Sequence, residues 1–453
     1  MKIRKNVCVV VDAFSTGSHL APAFLSYGYR SVHIKSSPDL PPYLLKSFRK
    51  DDFLEEFIYN QNPDELLQFL SKYSVKCVVP GTETGVLLAD FLSEKLNIFS
   101  NSTIHSEAKR NKYVMHETLK SKGIRAVNHF KASNVQSIVA WAKTLDDYPI
   151  VLKPLDSAGT DGFNVCYNEQ QIAEAFNRIY HSKNMFGQVN QEVLAQNYLH
   201  GQEYNVNTIS CQGRHYVSEI WEVNKVFNEH SKIYDLASLV SENNDIFKLL
   251  KDYTEKVLNA FNIQYGPAHC EIILTSAGPT LVEIGARLMG AIDLSVVTEA
   301  LGMNAVTLTA EAYLNSDKFL LRLEQPRPKI KKYPYMIQLI SSQEGELHSF
   351  NLNELSELKT FWSMDTFLDK GDRLKTTIDL LTSPGIVFLV GQDKETLQED
   401  YKILRELEKA GKFYHTFDKN IVASTEKHGI FAVQPSNTEK TSLSSHVCSV
   451  CTV

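Results

Sequence analysis

Glu271 and Glu283 carry the first chemical signal in this chain. They lie in CEIILTSAGPTLVEIGAR, which reads as strand, turn, strand, with Thr275-Ser276-Ala277-Gly278-Pro279 as the turn. A hairpin centred on Ala277 pairs Leu274 with Thr280 and sets Glu271 opposite Glu283. Like charges facing each other repel, and a carboxylate among apolar residues is costly to bury unpaired. A divalent cation between the two answers both problems, and oxygen ligands beside phosphates favour Mg2+. The competing reading is a pair of exposed carboxylates at a sheet edge. Arg287 follows in EIGARLMG. It could simply neutralise the carboxylates, or it could clamp a phosphoryl group or an oxyanion.

Lys153 supplies the second signal. It ends the apolar run YPIVLKP, an unusual place for a solvated lysine, and its ammonium calls for an anion such as a nucleotide phosphate. Asp156-Ser157-Ala158-Gly159-Thr160-Asp161-Gly162 follows at once. Small residues and two glycines let backbone N–H groups approach phosphates. By itself such a loop is more often just a turn. The usual nucleotide fingerprints are absent: there is no G-x-x-x-x-G-K-[ST], no G-x-G-x-x-G, no HExxH and no HRD or DFG set.

The elements that must hold these residues change character along the chain. Residues 7–11 (VCVVV) form a continuous apolar run, as in a buried parallel strand. A polar turn at Asp12–Ser18, a helix at His19–Tyr27 and a strand at Ser31–Ile34 follow. A helix at Pro63–Lys72, a strand at Val75–Pro80, the turn Gly81–Gly85 and a helix at Val86–Leu96 repeat the alternation. This is the pattern of a doubly wound parallel α/β domain, whose ligand edge lies in the loops after the strands. Residues 107–122 read as one basic amphipathic helix ended by Gly123. Beyond residue 125 the hairpin signals of α+β structure appear. Gly385–Gly391 reads as a strand and Lys394–Lys409 as a charged helix.

Bulk properties exclude several classes. The chain has 453 residues and a net charge of −6, with no concentrated basic stripe for nucleic acid. Arg327-Pro328-Lys329-Ile330-Lys331-Lys332 reads as a solvated linker. No apolar run is long enough to span a membrane, and Val7–Val11 is too short for a signal peptide. Cys8, Cys77, Cys166, Cys211 and Cys270 stand singly in apolar contexts, as reduced core residues of a cytoplasmic protein would. Cys448 and Cys451 form a lone C-x-x-C in a polar tail; half a metal site or a redox pair is the functional alternative to a solvated end.

Taken in order, Lys112, VLKP with Lys153, the SAGTDG loop, QNYLHGQEYNV, CEIIL with Glu271 and VEIGAR with Glu283 and Arg287 resemble the ATP-grasp superfamily. VVDAFSTGSHLAPAF, PGTETGVLLAD and GPAHCE are similar to segments of its L-amino-acid ligase branch, which forms dipeptides. The resemblance implies an α/β domain over residues 1–110 and an ATP-grasp domain over 111–325, split into α+β subdomains at about 125–195 and 196–325. A C-terminal α+β lobe at 326–423 and a disordered tail at 424–453 complete the expectation. It also implies roles. Lys112 and Lys153 would contact ATP, and Ser157, Gly159 and Thr160 would belong to a flap over its phosphates. Gln196, Asn197, Tyr198 and Leu199 would receive adenine, and Glu203 the ribose. Lys225 is a further phosphate or substrate candidate, and His269 would face the amino-acid site or fill the core. Glu271 and Glu283 would hold Mg2+, with Mn2+ as a substitute, and Arg287 would stabilise an acyl phosphate and a tetrahedral intermediate.

Gly285 departs from the family pattern, standing where many relatives carry an asparagine metal ligand in E-x-N-x-R. Either water takes that position or a second metal is held more weakly. The implied reaction joins a carboxylate to an amine, with a homodimer as the expected assembly and no nucleic-acid or membrane partner. Two alternatives remain: a carboxylase-like acceptor, or a nucleotide-binding regulatory protein without turnover.

Overall fold

A computed structural model describes residues 4–145, 148–157, 159, 161–228 and 231–417. Thr160, the tail from 424 onwards and the Cys448/Cys451 pair lie outside the described residues.

β1 (Lys5–Val11), β2 (Arg30–Lys35), β3 (Phe53–Ile58) and β4 (Tyr73–Pro80) form a parallel sheet in the order β3-β2-β1-β4. β1 is apolar throughout because both of its faces are covered. Val7, Val9 and Val11 pack with Leu66, Leu70 and Leu92 from the helices Pro63–Leu70 and Val86–Lys95. Cys8 and Val10 pack on the other face with Leu20 and Phe24, and also with Val306, Ala310 and Tyr313. Those last three come from the helix Ala305–Leu314, far along the chain. Its opposite side contributes Leu308 and Ala312 to a cluster with Ile209, Cys211 and Tyr216. A helix apolar on all sides belongs between two layers, and this one sits between the first sheet and the largest one.

β5 (His129–Ala132), β6 (Ile150–Pro154), β7 (Asn164–Cys166) and β8 (Val193–Asn197) form an antiparallel sheet ordered β5-β8-β6-β7. Its core, including Ile138, Ile150, Leu152, Ile172 and Phe176, comes entirely from this stretch of chain.

The remaining strands are β9 (Gln202–Cys211), β10 (Arg214–Asn228), β11 (Ser231–Leu239), β12 (Gly266–Thr275), β13 (Gly278–Gly285), β14 (Tyr333–Gln338), β15 (Gly345–Phe350), β16 (Phe361–Thr366), β17 (Arg373–Leu374), β18 (Gly385–Gly391) and β19 (Tyr414–Thr416). Eight of them make one sheet in the order β13-β12-β9-β10-β11-β14-β18-β16, and β17-β15-β19 form a small separate sheet. Among the described residues, no helix is long and apolar enough to cross a membrane.

Three local expectations change. The stretch 107–122 is not one helix: a single turn at Glu107–Lys109 is followed by a new start at Lys112. Asn111 makes the break, its side chain capping the N–H groups of Tyr113 and Val114. Arg327 is not a solvated linker residue. Its guanidinium donates to the carbonyls of Val217 and Ser218 and lies over the rings of Tyr216 and Phe247. The hairpin turn is one position tighter than expected, with Leu274 opposite Pro279 and Ile273 opposite Thr280. Uncorrected, that slip would turn Glu283 to the other face. A β-bulge at Val282 takes up the extra residue, and Glu271 stands opposite Glu283 after all.

Phe24 is fully buried between the first sheet and the Ala305–Leu314 helix. Phe24→Ala is expected to lower stability by about 3–5 kcal/mol. A urea titration should show a lower midpoint with an unchanged slope.

Candidate active site

Side chains on a strand alternate between faces, so the register of β10, β9, β12 and β13 lays two rows of residues on one face. One row is Trp221, Asn205, Glu271 and Glu283; the next is Glu219, Asn207, His269 and Gly285. Two cavities open over these rows. The larger, about 280 Å³, has an apolar end walled by Val127, Val151, Phe163, Ile273 and Leu281, beside Gln196, Asn197, Tyr198 and Leu199. Its other end holds Lys112, Lys153, Glu271 and Glu283. The smaller, about 110 Å³, is lined by His269, Arg287 and Asn205 and by apolar Met289, Ala291, Met336 and Ile386. Glu271, Glu283 and Gly159 line both cavities, so the facing carboxylates mark their junction.

The charges at this junction are out of their ordinary range. Burial lowers the Lys153 pKa to about 8, and the neighbouring Lys112 pushes the same way. Lys112 Nζ lies 3.0 Å from Glu283 Oε1 and also donates to the Ser157 carbonyl. Burial and the Glu271 charge raise the pKa of Glu283. Burial also acts upward on Glu271, but His269, Lys225 and Arg287 outweigh it and bring that carboxyl down to about 2. Two facing carboxylates cannot both ionise cheaply without a cation. Among the described residues no cluster of three or more His, Cys, Asp or Glu side chains could hold a metal alone. The donor set therefore fits Mg2+ only in the manner usual for that ion beside phosphates, with one or two carboxylates and the remaining oxygens from phosphate and water.

The structure brings most of the expected residues to these cavities. Ser157 lines the larger cavity, and its hydroxyl donates to Asp161 at 2.5 Å. Glu203 receives Lys225 Nζ at 2.7 Å, while its Oε1 is buried with no hydrogen-bond partner among the described residues. Lys225 also lies over the Tyr234 ring, 4.1 Å from its centroid. His269 and Arg287 stand at the smaller cavity rather than with the lysines.

Glu83, Arg110, Asn205, Asn207 and Glu219 also belong to this region, although no motif in the sequence marks them as site residues. Glu83 is buried in the Gly81–Gly85 turn after β4. Arg287 Nε lies 2.9 Å from its Oε2, and Arg110 Nε lies 3.4 Å from its Oε1. Arg110 also reaches Asp156, at 2.8 Å, just before Ser157. Gly285 explains itself here. A Cβ at that position would lie 2.6 Å from Glu83 Oε2 and 3.2 Å from Arg287 Nε. The missing side chain is the space that the Glu83–Arg287 pair occupies. The turn reaches this far because Gly17 and Gly81 touch backbone to backbone, where any Cβ would clash.

Two cavities meeting at paired carboxylates and lysines are what an ATP-dependent ligase of the ATP-grasp class requires. The sequence matches the ATP-grasp domain family over residues 146–295. It is 34% identical over 422 residues to dapdiamide A synthase of Enterobacter agglomerans, covering 91% of this chain and 97% of that one. It is 23% identical over 229 residues to an L-arginine-specific L-amino acid ligase of Bacillus subtilis, covering 50% of this chain and 54% of the relative. The fold superposes on the crystal structure of L-amino acid ligase from Bacillus licheniformis with a TM-score of 0.70, at 17% identity, covering 90% of this chain and 98% of that one. The chain belongs to the ATP-grasp superfamily, near its amino-acid ligase branch, and is an ATP-dependent enzyme that joins a carboxylate to an amine.

Two outcomes follow from these charges. Lys153 loses its proton near pH 8 in the unliganded fold but only near its ordinary value of about 10.4 when unfolded. Between those values the unfolded chain binds the extra proton, so this group makes stability rise with pH there and is a net burden below. Lys153→Met should therefore raise the melting temperature of the unliganded protein at pH 7 and abolish the further rise on adding MgATP. Gly285→Asn restores the commoner residue but drives Glu83 off Arg287. It should lower kcat/KM by about tenfold or more, as a misplaced charge clamp does, and steady-state kinetics with the best substrate pair checks it.

Proposed function

We propose that both substrates are amino acids or close analogues, joined through an amide bond. The observation that carries this reading is the junction of a nucleotide-sized cavity with a second, smaller one at Glu271 and Glu283. Adenine lies at the apolar end beside Gln196–Leu199, and the free Oε1 of Glu203 takes a ribose hydroxyl. Lys112 and Lys153 hold the phosphates, Ser157 and Gly159 cover them, and Lys225 supports Glu203. Glu271 and Glu283 hold Mg2+, which neutralises phosphate charge when bound; Mn2+, also suited to oxygen ligands, substitutes.

The substrate carboxylate oxygen attacks the γ-phosphorus of ATP, breaking its bond to the β–γ bridging oxygen and releasing ADP. The neutral amine nitrogen then attacks the acyl carbon, the acyl C–O bond to phosphate breaks as the C–N bond forms, and the proton lost by nitrogen leaves with the released phosphate. Arg287, fixed by Glu83, stabilises the negative charge on the acyl phosphate and on the tetrahedral oxygen that follows. The chain needs no covalent nucleophile, because positioning and charge neutralisation carry phosphoryl transfer. Apolar Met289, Ala291, Met336 and Ile386 favour an uncharged side chain on one substrate. The reading extends to a homodimer in the cytoplasm, where the five buried thiols stay reduced.

Phosphate release with ATP, Mg2+ and a panel of amino acids, followed by product mass, tests this proposal. Amino-acid-dependent release and a product lighter than its two substrates by one water support it. ATP binding without release for any pair would favour a regulatory protein, and bicarbonate-dependent release a carboxylase-like enzyme. Glu283→Gln should reduce phosphate release at least about a hundredfold while leaving the circular dichroism spectrum unchanged. Wild-type rates in that variant would overturn the metal assignment.

A further inference from the structure

The smaller cavity runs across the strands of the large sheet. Glu271 and Glu283 mark one end, on β12 and β13, and Met336, Gln338 and Ile386 the other, on β14 and β18. In the sheet order β14 lies four strands from β12, and neighbouring strands are about 4.8 Å apart. A substrate that reacts at the junction therefore meets β14 with its side chain and not with its reacting groups.

Met336, Leu380 and Ile386 make this far end apolar, and Gln338 interrupts it. Gln338 is buried, and its Nε2 donates to Ser383 Oγ and to the Gly385 carbonyl, 3.3 Å away. The Ser383 hydroxyl gives its own hydrogen to the carbonyls of Leu339 and Gly385, at 2.9 and 3.2 Å, so its oxygen is an acceptor for Gln338. A carbonyl only accepts. Turning the Gln338 amide over would set its Oε1 against the Gly385 oxygen with no hydrogen between them. The amide is therefore fixed in one orientation, and Oε1 is the atom left over. None of the described residues donates to it. Nor is it enclosed in the core: it is open to the cavity that Gln338 lines. Asp235 also lines that cavity, but Arg405 donates to its Oδ1 at 2.7 and 2.9 Å and Tyr401 to its Oδ2 at 2.8 Å. A cation brought to this end would find that carboxylate already neutralised.

We propose that Gln338 selects the side chain of one substrate, and that this side chain is uncharged and ends in a hydrogen-bond donor, an amide N–H or a hydroxyl. The inference rests on the ligase reading above for what reacts at the junction; the fixed acceptor rests on the geometry of Gln338 alone. Oε1 takes the donor's hydrogen, while Met336, Leu380 and Ile386 pack against the carbon stem. An apolar side chain of the same shape would leave Oε1 buried and unpaired, which is costly. A carboxylate would set acceptor against acceptor, and an ammonium would be buried without a counter-charge.

Amino acids of matching shape decide the matter: asparagine against leucine, and glutamine against methionine and glutamate. Calorimetry on the full-length protein with MgADP reads their binding, and phosphate release with MgATP reads kcat/KM. Wild type is expected to favour the amide over its apolar partner by about tenfold or more in at least one set, and glutamine over glutamate. Gln338→Met should reverse the choice toward leucine or methionine, with KM for ATP unchanged. Ser383→Ala is the milder variant and decides if Gln338→Met does not fold. It removes one of the two acceptors that hold the amide, and should narrow the preference for glutamine over glutamate. Equal affinity within both sets in wild type, unchanged ratios in the variants, or binding of none of these amino acids would overturn the proposal. A uniform loss of kcat and melting temperature with the ratios intact would do the same, because it shows a purely structural role. Selective binding with no phosphate release would leave the Gln338 assignment standing and overturn the ligase reading. Phosphate release with unchanged ratios would do the reverse.

Discussion

Two carboxylates held face to face on a buried sheet set the terms for everything around them. Glu271 and Glu283 repel each other, and the apolar strands that carry them leave each only partly exposed to water. Lys112 and Lys153 meet that negative charge but crowd each other in turn. The unliganded site is therefore a balance of opposed charges, none of them solvated as it would be alone. Such an arrangement adds little to stability. On the function proposed above, phosphates at the lysines and a divalent ion at the carboxylates would make it favourable, and the site would then favour the two ligands together.

The front domain takes part in this balance through Glu83. Its carboxylate bridges Arg110 and Arg287 and fills the space left by Gly285. The glycine that looks in the sequence like a missing metal ligand is instead a consequence of where the Gly81–Gly85 turn lands. Arg110 ties the same carboxylate to Asp156, next to Ser157 of the larger cavity. The two cavities thus share a wall whose position depends on the parallel sheet as well as on the hairpin.

The sequence made much of the site legible, for a physical reason. Lys153 and Glu283 declare themselves because a charge at the end of an apolar strand has few ordinary explanations. The facing of Glu271 and Glu283 was readable from hairpin geometry even though the turn is tighter, because a bulge at Val282 cancels the slip. A bulge leaves no mark in a strand of β-formers. The partners of Arg287 and His269 were not legible either. Glu83 lies 204 positions from Arg287 and Asn207 lies 62 from His269. No local pattern records a contact over such distances; only the strand order of the large sheet and the packing of the front domain create them. Asn207 and Glu219 belong to no motif singled out in the sequence, and it is their row partners that give them meaning.

The helix Ala305–Leu314 has a bearing on how the chain assembles. It covers Cys8 and Val10 on the first sheet, yet it emerges some 300 positions after them. During synthesis the strands of the front domain can pair early, but one face of their sheet stays bare until this helix has left the ribosome. An uncovered apolar face of that kind is where nascent chains associate wrongly or recruit chaperones. The front domain and the catalytic sheet are thus one folding unit, although the chain visits them in turn, and a fragment ending before residue 305 would keep the β1 strand intact while leaving half of its core open to water.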